Sequence, residues 1–246
     1  MRTAPIFALL VGLIAHGALA ADKGTVLVVG ATGQTGRPLV QILKSQGYVV
    51  RAMVRGETTA ADLGADAVVK GDVTKPETLG PAVKGAAYVI SAIGARGAAP
   101  EDVDYQGNIA LADAAKAAGV KQMVLMTSIG SEITDPNDPS VRRGPMMILK
   151  GKAEAYLRQS GLPYTIVRPG ALANCDAGKS GVLLGKRTAA ENKRNPVPPI
   201  CRADVAEVMA ASLGNKDALG KTFSASNDPT AKPEAWRANF AALKKD

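Results

Sequence analysis

The sequence predicts an α/β fold in which helices cover both faces of a doubly wound, parallel β-sheet. Short apolar runs rich in β-branched residues alternate with segments of helical period from residue 25 to about residue 170. A glycine-rich turn, GATGQTG at residues 30–36, connects the first apolar run to the first helical segment. This order of strand, glycine turn and helix is typical of a Rossmann-type nucleotide-binding unit. We expect a small C-terminal lobe on the substrate side of the sheet.

The first strand, at residues 26–29, is followed by three glycines with the spacing G-x-x-G-x-x-G. Gly30 permits a tight turn, Gly33 lets backbone N–H groups approach a pyrophosphate, and Gly36 lets the helix pack close to the sheet. The start of the helix offers N–H donors to the same anion. The alternative interpretation is a structural glycine turn in another α/β protein. The turn also supplies three further candidate cofactor contacts, Thr32, Gln34 and Thr35.

The second strand, at residues 48–54, is followed directly by Arg55. Sites for NAD usually have an Asp or Glu near this position, which accepts a hydrogen bond from the ribose 2′-hydroxyl. A guanidinium suits a 2′-phosphate instead, because it donates two charge-assisted hydrogen bonds. The sequence therefore predicts NADP(H) in preference to NAD(H), with Arg55 as the main contact. Arg37 and Arg51 are weaker candidates, and the alternative for each of the three arginines is a solvated surface charge.

Four further strands and two long helices follow along the chain. The strands are predicted at residues 67–70, 87–93, 122–127 and 164–168, and the helices at residues 104–118 and 146–160. Ser91, Ala92 and Ile93 lie at the carboxyl end of the fourth strand, where open α/β sheets bind their ligands. These three residues are therefore candidate cofactor contacts.

The substrate side is expected to come from two parts of the chain, residues 130–145 and 170–246. Residues 130–145 carry turn signals throughout and are a candidate substrate lid. We expect the sheet to be complete by about residue 170. An irregular basic stretch, a helix that stops at Gly214, a short strand near Phe223 and a terminal helix near Trp236 then finish the chain.

The first 20 residues have the features of a secretory signal peptide. They comprise an early charge at Arg2, an apolar run at residues 6–15 and a small-residue end. We expect Sec-type export with cleavage after Ala20, a periplasmic location, and no membrane association afterwards. The alternatives are an uncleaved membrane anchor and a misassigned start codon. Residues 21–246 are expected to form a single domain.

Composition excludes several classes of function. The chain is 46% hydrophobic, enough for a full core, but only 4% aromatic, which argues against stacking on nucleic-acid bases. Its one histidine, His16, lies in the predicted signal peptide, so catalytic triads and metal sites that need histidine are excluded and we expect no metal. The two cysteines, Cys175 and Cys201, form either one disulfide or two unpaired buried thiols.

Several segments besides the glycine turn carry a family resemblance: GDV at residues 71–73, NIALADAAKAAGVKQMVLMTS at 108–128, KGKAEAYLRQSGLPYTIVRPGAL at 150–172 and RADVAEV at 202–208. The chain resembles the atypical, NmrA-like short-chain dehydrogenases/reductases, a group that includes reductases of the flavin/biliverdin reductase B type. The resemblance implies that Asp72 and Val73 border the adenine, although a helix cap is an alternative role for Asp72. It also implies that backbone groups of Pro169 and Gly170 meet the nicotinamide carboxamide.

Catalysis in that superfamily uses a Ser, a Tyr and a Lys four residues after the Tyr. The resemblance implies Ser128 as the serine and Lys152 as the lysine, which places Ile148 at the tyrosine position. No tyrosine in the sequence is followed by lysine at that spacing. Lys152 is then expected to bind the nicotinamide ribose hydroxyls and Ser128 to face the ring, whereas Lys150 is expected to be a surface charge.

Without a positioned phenol, hydride transfer is expected only to an acceptor that needs no acid from the enzyme. Flavins and quinones meet this condition, because they obtain protons from water. The resemblance therefore implies an NADPH-dependent oxidoreductase that acts on a small-molecule acceptor of this kind. The alternative is a non-catalytic NADP(H)-binding protein that senses redox ratio or supports a partner protein.

Overall fold

The computed structural model describes residues 23–95, 99–139 and 145–246. Residues 1–20, the predicted signal peptide, lie outside this range, and so do residues 140–144 of the predicted lid. The signal peptide and the part of the lid at residues 140–144 therefore stay predictions. None of the helices in the described ranges is long and apolar enough to span a membrane.

One large sheet forms the centre of the protein. The described strands are β1 (Thr25–Val29), β2 (Val49–Val54), β3 (Ala67–Lys70), β4 (Tyr88–Ser91), β5 (Gln122–Met126), β6 (Tyr164–Pro169), β7 (Leu172–Ala173), β8 (Gly181–Gly185), β9 (Ile200–Cys201) and β10 (Lys221–Asp228). Eight of them form a sheet in the order β3-β2-β1-β4-β5-β6-β10-β8. Every neighbouring pair in this sheet is parallel except β10 with β8. The parallel, doubly wound sheet predicted from the sequence is confirmed.

Helices connect the strands and cover both faces of the sheet. They are α1 (Gly36–Ser45), α2 (Ala60–Leu63), α3 (Leu79–Val83), α4 (Gly107–Ala117), α5 (Met146–Gln159), α6 (Ala189–Arg194) and α7 (Arg202–Ser212). A π-helical turn at Glu101–Gln106 leads into α4, and 3₁₀ helices occupy Pro76–Thr78 and Ala235–Ala242. The predicted terminal helix near Trp236 is thus a 3₁₀ helix.

The alternation of side chains along β1 divides the core into two layers. Val26 and Val28 face a layer that includes residues of α1 and α7, whereas Leu27 and Val29 face a layer built by α3, α4 and α5. All four side chains are buried. This confirms that the first strand is covered on both faces, as its unbroken apolar run predicts.

The expectation that the sheet is complete by residue 170 is wrong. β10 adds a parallel strand beside β6, and β8 then pairs with β10 in the antiparallel direction. The sequence of β10, KTFSASND, is mostly small and polar, so it lacks the apolar run that identifies the other strands. Its burial depends on the 3₁₀ helix at Ala235–Ala242, where Phe240 packs edge-on against Phe223.

The sheet order creates a crevice between β1 and β4. The chain leaves β1 towards β2 and β3 on one side, and returns to the other side through β4, β5 and β6. Ligands of open α/β sheets bind at such a reversal point, beyond the carboxyl ends of the strands. The glycine turn after β1 and the segment after β4 lie on this edge.

Candidate cofactor site

The glycine turn brings the start of α1 close to the end of β1. Gly30 has a φ of +89°, and a Cβ added to it would lie 2.9 Å from the carbonyl oxygen of Ala92. The Gly33 N–H donates to the Gly30 carbonyl at 2.9 Å. A Cβ at Gly36 would collide with the Gly30 carbonyl oxygen. Only glycine fits these close backbone approaches, as the spacing predicts.

The first turn of α1 is suited to an anion. The residue before the helix, Thr35, is buried and makes no side-chain capping bond to it. N–H groups at a helix start that lack a side-chain cap are donors for a bound phosphate. Thr32 and Gln34 are exposed on the same turn. The turn therefore fits a dinucleotide pyrophosphate by its backbone shape and its donors.

Three arginines lie near the end of β2, and they differ in what they contact. Arg51 donates to the carbonyl oxygens of Ala82 and Lys84, at 3.4 and 2.7 Å. Arg37 donates to the Asp62 carbonyl at 3.1 Å. Arg55 is exposed directly after β2 and makes no hydrogen bond to another described residue. Arg55 is thus the arginine best placed to receive a ligand phosphate.

Asp72 and Val73 follow β3 at the same edge of the sheet. The Asp72 carboxylate accepts hydrogen bonds from the N–H and the hydroxyl of Thr74, at 3.0 and 2.9 Å. Burial acts to raise the pKa of Asp72, but these bonds and the charges of Arg55 and Lys75 outweigh it and lower the pKa. The side chain closes a turn here, since the next helix begins only at Pro76–Thr78.

A cavity of about 440 Å³ lies beside this turn. Its walls include Val73 and Thr74 from the segment after β3, and Asp102 and Gln106 from the π-helical turn. Val73 itself is buried, and a Cβ added at Gly107 would lie 2.8 Å from its Cγ2. The cavity therefore lies next to the residues expected to border the adenine.

The segment after β4 touches the glycine turn through its backbone. The Ala92 N–H donates to the Val29 carbonyl at 2.9 Å, and Ile93 is half-buried beside Gly30. Ser91 has a different environment: its fully buried hydroxyl donates to the Asn108 side-chain oxygen at 2.8 Å. Ala92 and Ile93 thus border the crevice, whereas the Ser91 side chain bonds to α4.

Ser128, Pro169 and Gly170 lie together beyond the ends of β5 and β6. The Ile129 N–H donates to the Pro169 carbonyl at 2.9 Å, which joins the two segments. Ser128 is half-buried and its hydroxyl donates to the Ile129 carbonyl at 3.1 Å. The Gly170 N–H donates to the Ala225 carbonyl of β10, so that N–H is already bonded.

The two lysines of α5 have opposite environments. Lys152 is exposed, and its ammonium lies 5.4 Å from the centre of the Tyr105 ring. Lys150 is 7% exposed, and its Nζ lies 2.6 Å from Oδ1 of Asp104. The expectation of a surface charge at Lys150 is wrong. Residues two apart on a helix point in widely different directions, so only one of the two can face the sheet.

The sequence contains a signal for this pair at Asp104. Asp104 lies between apolar positions at the start of a predicted helix, and in the structure it is completely buried. A buried carboxylate needs a partner, and a basic residue facing it is the usual one. Asp104 belongs to a larger network, because the Asn108 side chain donates to its carbonyl at 3.0 Å.

The described residues contain no phenol at the family's tyrosine position, where Ile148 is half-buried. Two other phenols are held in their neutral state. Burial and the neighbouring Asp246 raise the pKa of Tyr164 to about 12. The hydroxyl of Tyr156 donates to Asp113, and this bond raises the pKa of Tyr156 as well. In the described part of the chain, no group of three or more His, Cys, Asp or Glu side chains is placed to hold a metal ion.

An ionic cluster anchors the described part of the lid, residues 130–139. Glu132 accepts hydrogen bonds from the N–H groups of Gly130 and Ala189, at 2.9 and 2.6 Å. It also lies 3.6 Å from the guanidinium of Arg168, which pairs with the fully buried Glu154. Residues 130–139 of the predicted lid are thereby tied to α6 and to the end of β6.

The two cysteines are joined as a disulfide that connects the loop after β7 to the start of α7. Of the two alternatives left open by the sequence, the structure contains the bridge. Cys201 also pairs with Ala173 in the short ladder between β7 and β9. The disulfide thus fastens the segment that follows Pro169 and Gly170.

Comparisons with known proteins identify the family of this chain. The sequence profile of a family described as NAD(P)H-binding matches residues 30–216. An uncharacterised chloroplastic protein of Arabidopsis thaliana is 39% identical over 231 residues, which cover 83% of this chain and 70% of the plant protein. Sanguinarine reductase of Eschscholzia californica is 34% identical over 262 residues, which cover 90% of this chain and 95% of the reductase.

A solved structure extends the comparison to the fold. A protein of Bacillus halodurans, described as a candidate NAD-dependent epimerase/dehydratase, matches with a TM-score of 0.77 and 28% identity. The match covers 89% of this chain and 99% of that one. The chain therefore belongs to the NAD(P)H-binding family, as an NmrA-like, atypical short-chain dehydrogenase/reductase with a Rossmann-type fold.

Proposed function

We propose that this protein binds NADPH and reduces a flat, conjugated acceptor of the flavin or quinone type by hydride transfer. The observation that carries the proposal is the glycine turn at the crevice with exposed Arg55 beside it, since together they match a dinucleotide that bears an additional phosphate. The relationship to sanguinarine reductase supports a reductase. The lack of a phenol at Ile148 also disfavours reactions that need one.

Each part of the site has a role in this proposal. The turn at Gly33 and the start of α1 bind the pyrophosphate, Arg55 binds the 2′-phosphate, and Val73 borders the adenine. When bound, the reduced nicotinamide supplies the hydride. Ser128 faces the ring, and Lys150, in place of exposed Lys152, binds the nicotinamide ribose. The chain then needs to orient the acceptor and exclude water from the hydride path, because the acceptor takes its proton from solvent.

The preference for NADPH is tested with an Arg55→Ala variant. We expect wild type to bind NADPH more tightly than NADH, and the variant to lose about 10- to 100-fold in NADPH affinity through the missing charge-assisted bonds. The NADH affinity should hardly change. Titration calorimetry with both coenzymes measures this. Arg51→Ala is the matched control on the same strand, since its guanidinium binds the Ala82 and Lys84 carbonyls. Equal affinity for both coenzymes in wild type would contradict the proposal.

The reaction is tested by steady-state oxidation of NADPH in the presence of a panel of flavins and quinones. We expect turnover with at least one conjugated acceptor and none with simple aldehydes or ketones, because those need a proton from an enzyme acid. The second candidate function, a non-catalytic NADP(H)-binding sensor, is favoured by the missing phenol. Tight NADPH binding without turnover of any acceptor would support that function and overturn the reductase.

A further inference from the structure

Lys150 and Asp104 form an ion pair that is almost entirely removed from solvent. Their side chains are 8% and 0% exposed, and the Nζ–Oδ1 distance is 2.6 Å. Taking both charges out of water costs free energy, and such pairs are often no more stabilising than apolar residues of the same volume. Stabilisation of the fold therefore does not explain why the protein buries this ion pair.

The pair lies at the edge of the sheet where the strands have their carboxyl ends, next to the candidate cofactor site. The second oxygen of Asp104 accepts a hydrogen bond from the Ala95 N–H at 3.2 Å, just after the candidate cofactor contacts at the end of β4. On the other side, Lys150 immediately precedes Gly151, where an added Cβ would collide with the Ser131 carbonyl oxygen beyond β5. The bonds of Asp104 thus place the Lys150 ammonium beside the segment that follows β4.

Most of the donor capacity of Lys150 is left for a ligand. An ammonium group has three N–H donors, and one of them points to Asp104. Lys150 makes no second hydrogen bond within residues 23–95, 99–139 and 145–246. Two remaining donors on one ammonium group match the two adjacent hydroxyls of a ribose. This is the ligand chemistry that the geometry favours.

Asp104 is itself held rigidly. It belongs to the π-helical turn at Glu101–Gln106, and such turns inside helices often occur at functional sites. Its carbonyl accepts from Asn108, whose side-chain oxygen accepts in turn from the buried Ser91 hydroxyl. A chain of hydrogen bonds therefore runs from β4 through α4 to the backbone carbonyl of Asp104.

We propose that Asp104 is a positioning residue, which holds the Lys150 ammonium so that its remaining donors bind the ribose diol on the nicotinamide side of the cofactor. This inference rests on the proposed function, because it assumes that NADP(H) occupies the crevice. Asp104 acts through Lys150 and does not touch the cofactor.

The test compares Asp104→Asn, Lys150→Met and the double variant that carries both changes. Each single variant leaves one unpaired buried group and should lower the melting temperature. The double variant removes both charges, so its melting temperature should return towards that of wild type. Binding is then measured with two ligands, NADPH and adenosine 2′,5′-bisphosphate, which has the 2′-phosphate but no nicotinamide ribose.

We expect the double variant, which lacks the charged donor, to bind the bisphosphate like wild type and to bind NADPH at least about tenfold more weakly. Asp104→Asn, which keeps Lys150 and is measured well below its melting temperature, should show the same separation of the two ligands if Asp104 holds the ammonium in place. A purely structural pair would not separate the two ligands. Lys152→Met is the matched control on the same helix and should leave both affinities unchanged. If the double variant does not fold, the ratio of affinities in Asp104→Asn decides by itself.

The two possible failures are distinguishable. If Asp104→Asn binds NADPH as tightly as wild type does, the role of Asp104 is overturned while the cofactor proposal stands. If wild type binds neither NADPH nor the bisphosphate, the proposed function fails, and the role of Asp104 fails with it.

Discussion

At the scale of single residues, the site depends on positions where one added carbon has no space. Gly36 begins α1 and lies against the backbone of Gly30 and Ala31. Gly80, in α3, has no atom within 4 Å of the place where a Cβ would be. The two glycines are both helical, yet only the first is required by the packing. The same residue type therefore has opposite consequences at the two positions.

Gly36→Ala is expected to disrupt the glycine turn at residues 30–36. The new Cβ would force the start of α1 away from Gly30, so affinity for NADPH and NADH should fall together by about tenfold or more. The free energy of unfolding should decrease by about 1–3 kcal/mol. Titration calorimetry and urea unfolding measure the two effects. Gly80→Ala is the control and should leave both coenzyme affinities unchanged, because a Cβ there meets no neighbouring element. Unchanged coenzyme binding in Gly36→Ala would contradict this account of the turn.

At the scale of secondary-structure elements, the segment between β7 and α7 is stabilised by links that cross from one element to another. The ladder of β7 with β9 is only two residues long. It is reinforced by the disulfide and by two hydrogen bonds, from Arg202 to the Asn174 side chain at 2.9 Å and from the Gly178 N–H to Asp204 at 2.7 Å. Such a short ladder needs these links to keep its position beside β6.

Removing the disulfide is expected to weaken this segment measurably. The bridge joins residues separated by 26 positions. In the chain-entropy description, replacing both cysteines by serine should lower the free energy of unfolding by about 3 kcal/mol. Cys175 is exposed, so a phosphine reductant should produce the same loss in wild type and none in the double variant. Urea unfolding and a thiol assay measure this. Two reactive thiols in the native, unreduced protein would contradict the bridge.

At the scale of the whole molecule, the cellular compartment of the protein must suit its chemistry, which includes a disulfide. We propose that the protein is exported, which is supported by the signal-like residues 1–20 and by a disulfide of the kind that persists in oxidising compartments. Fractionation with N-terminal sequencing should find the mature chain in the periplasm, beginning at Ala21. An intact Met1 in the cytosolic fraction would contradict export.

The same scale shows how far the fold and the site could be predicted. The order of strands and helices as far as β6 follows from apolar periodicity, because each of these elements buries a continuous apolar face. A short strand was predicted near Phe223, but its full length as β10 and its pairing with β6 were not, since its small and polar residues become buried only when β6 and the last 3₁₀ helix surround them. The sequence likewise could not distinguish the roles of Lys150 and Lys152, because both are lysines on the same helix.

The sequence alone determined the nucleotide-binding unit, because a tight turn between a buried strand and a helix has requirements that a few local residues meet. It also determined that the family's phenol is missing. Tertiary structure decided which lysine is buried, which arginine is available to a ligand and whether the two cysteines are joined. These outcomes depend on partners distant in the chain, such as Asp104 for Lys150, and a burial environment exists only after the elements have packed together.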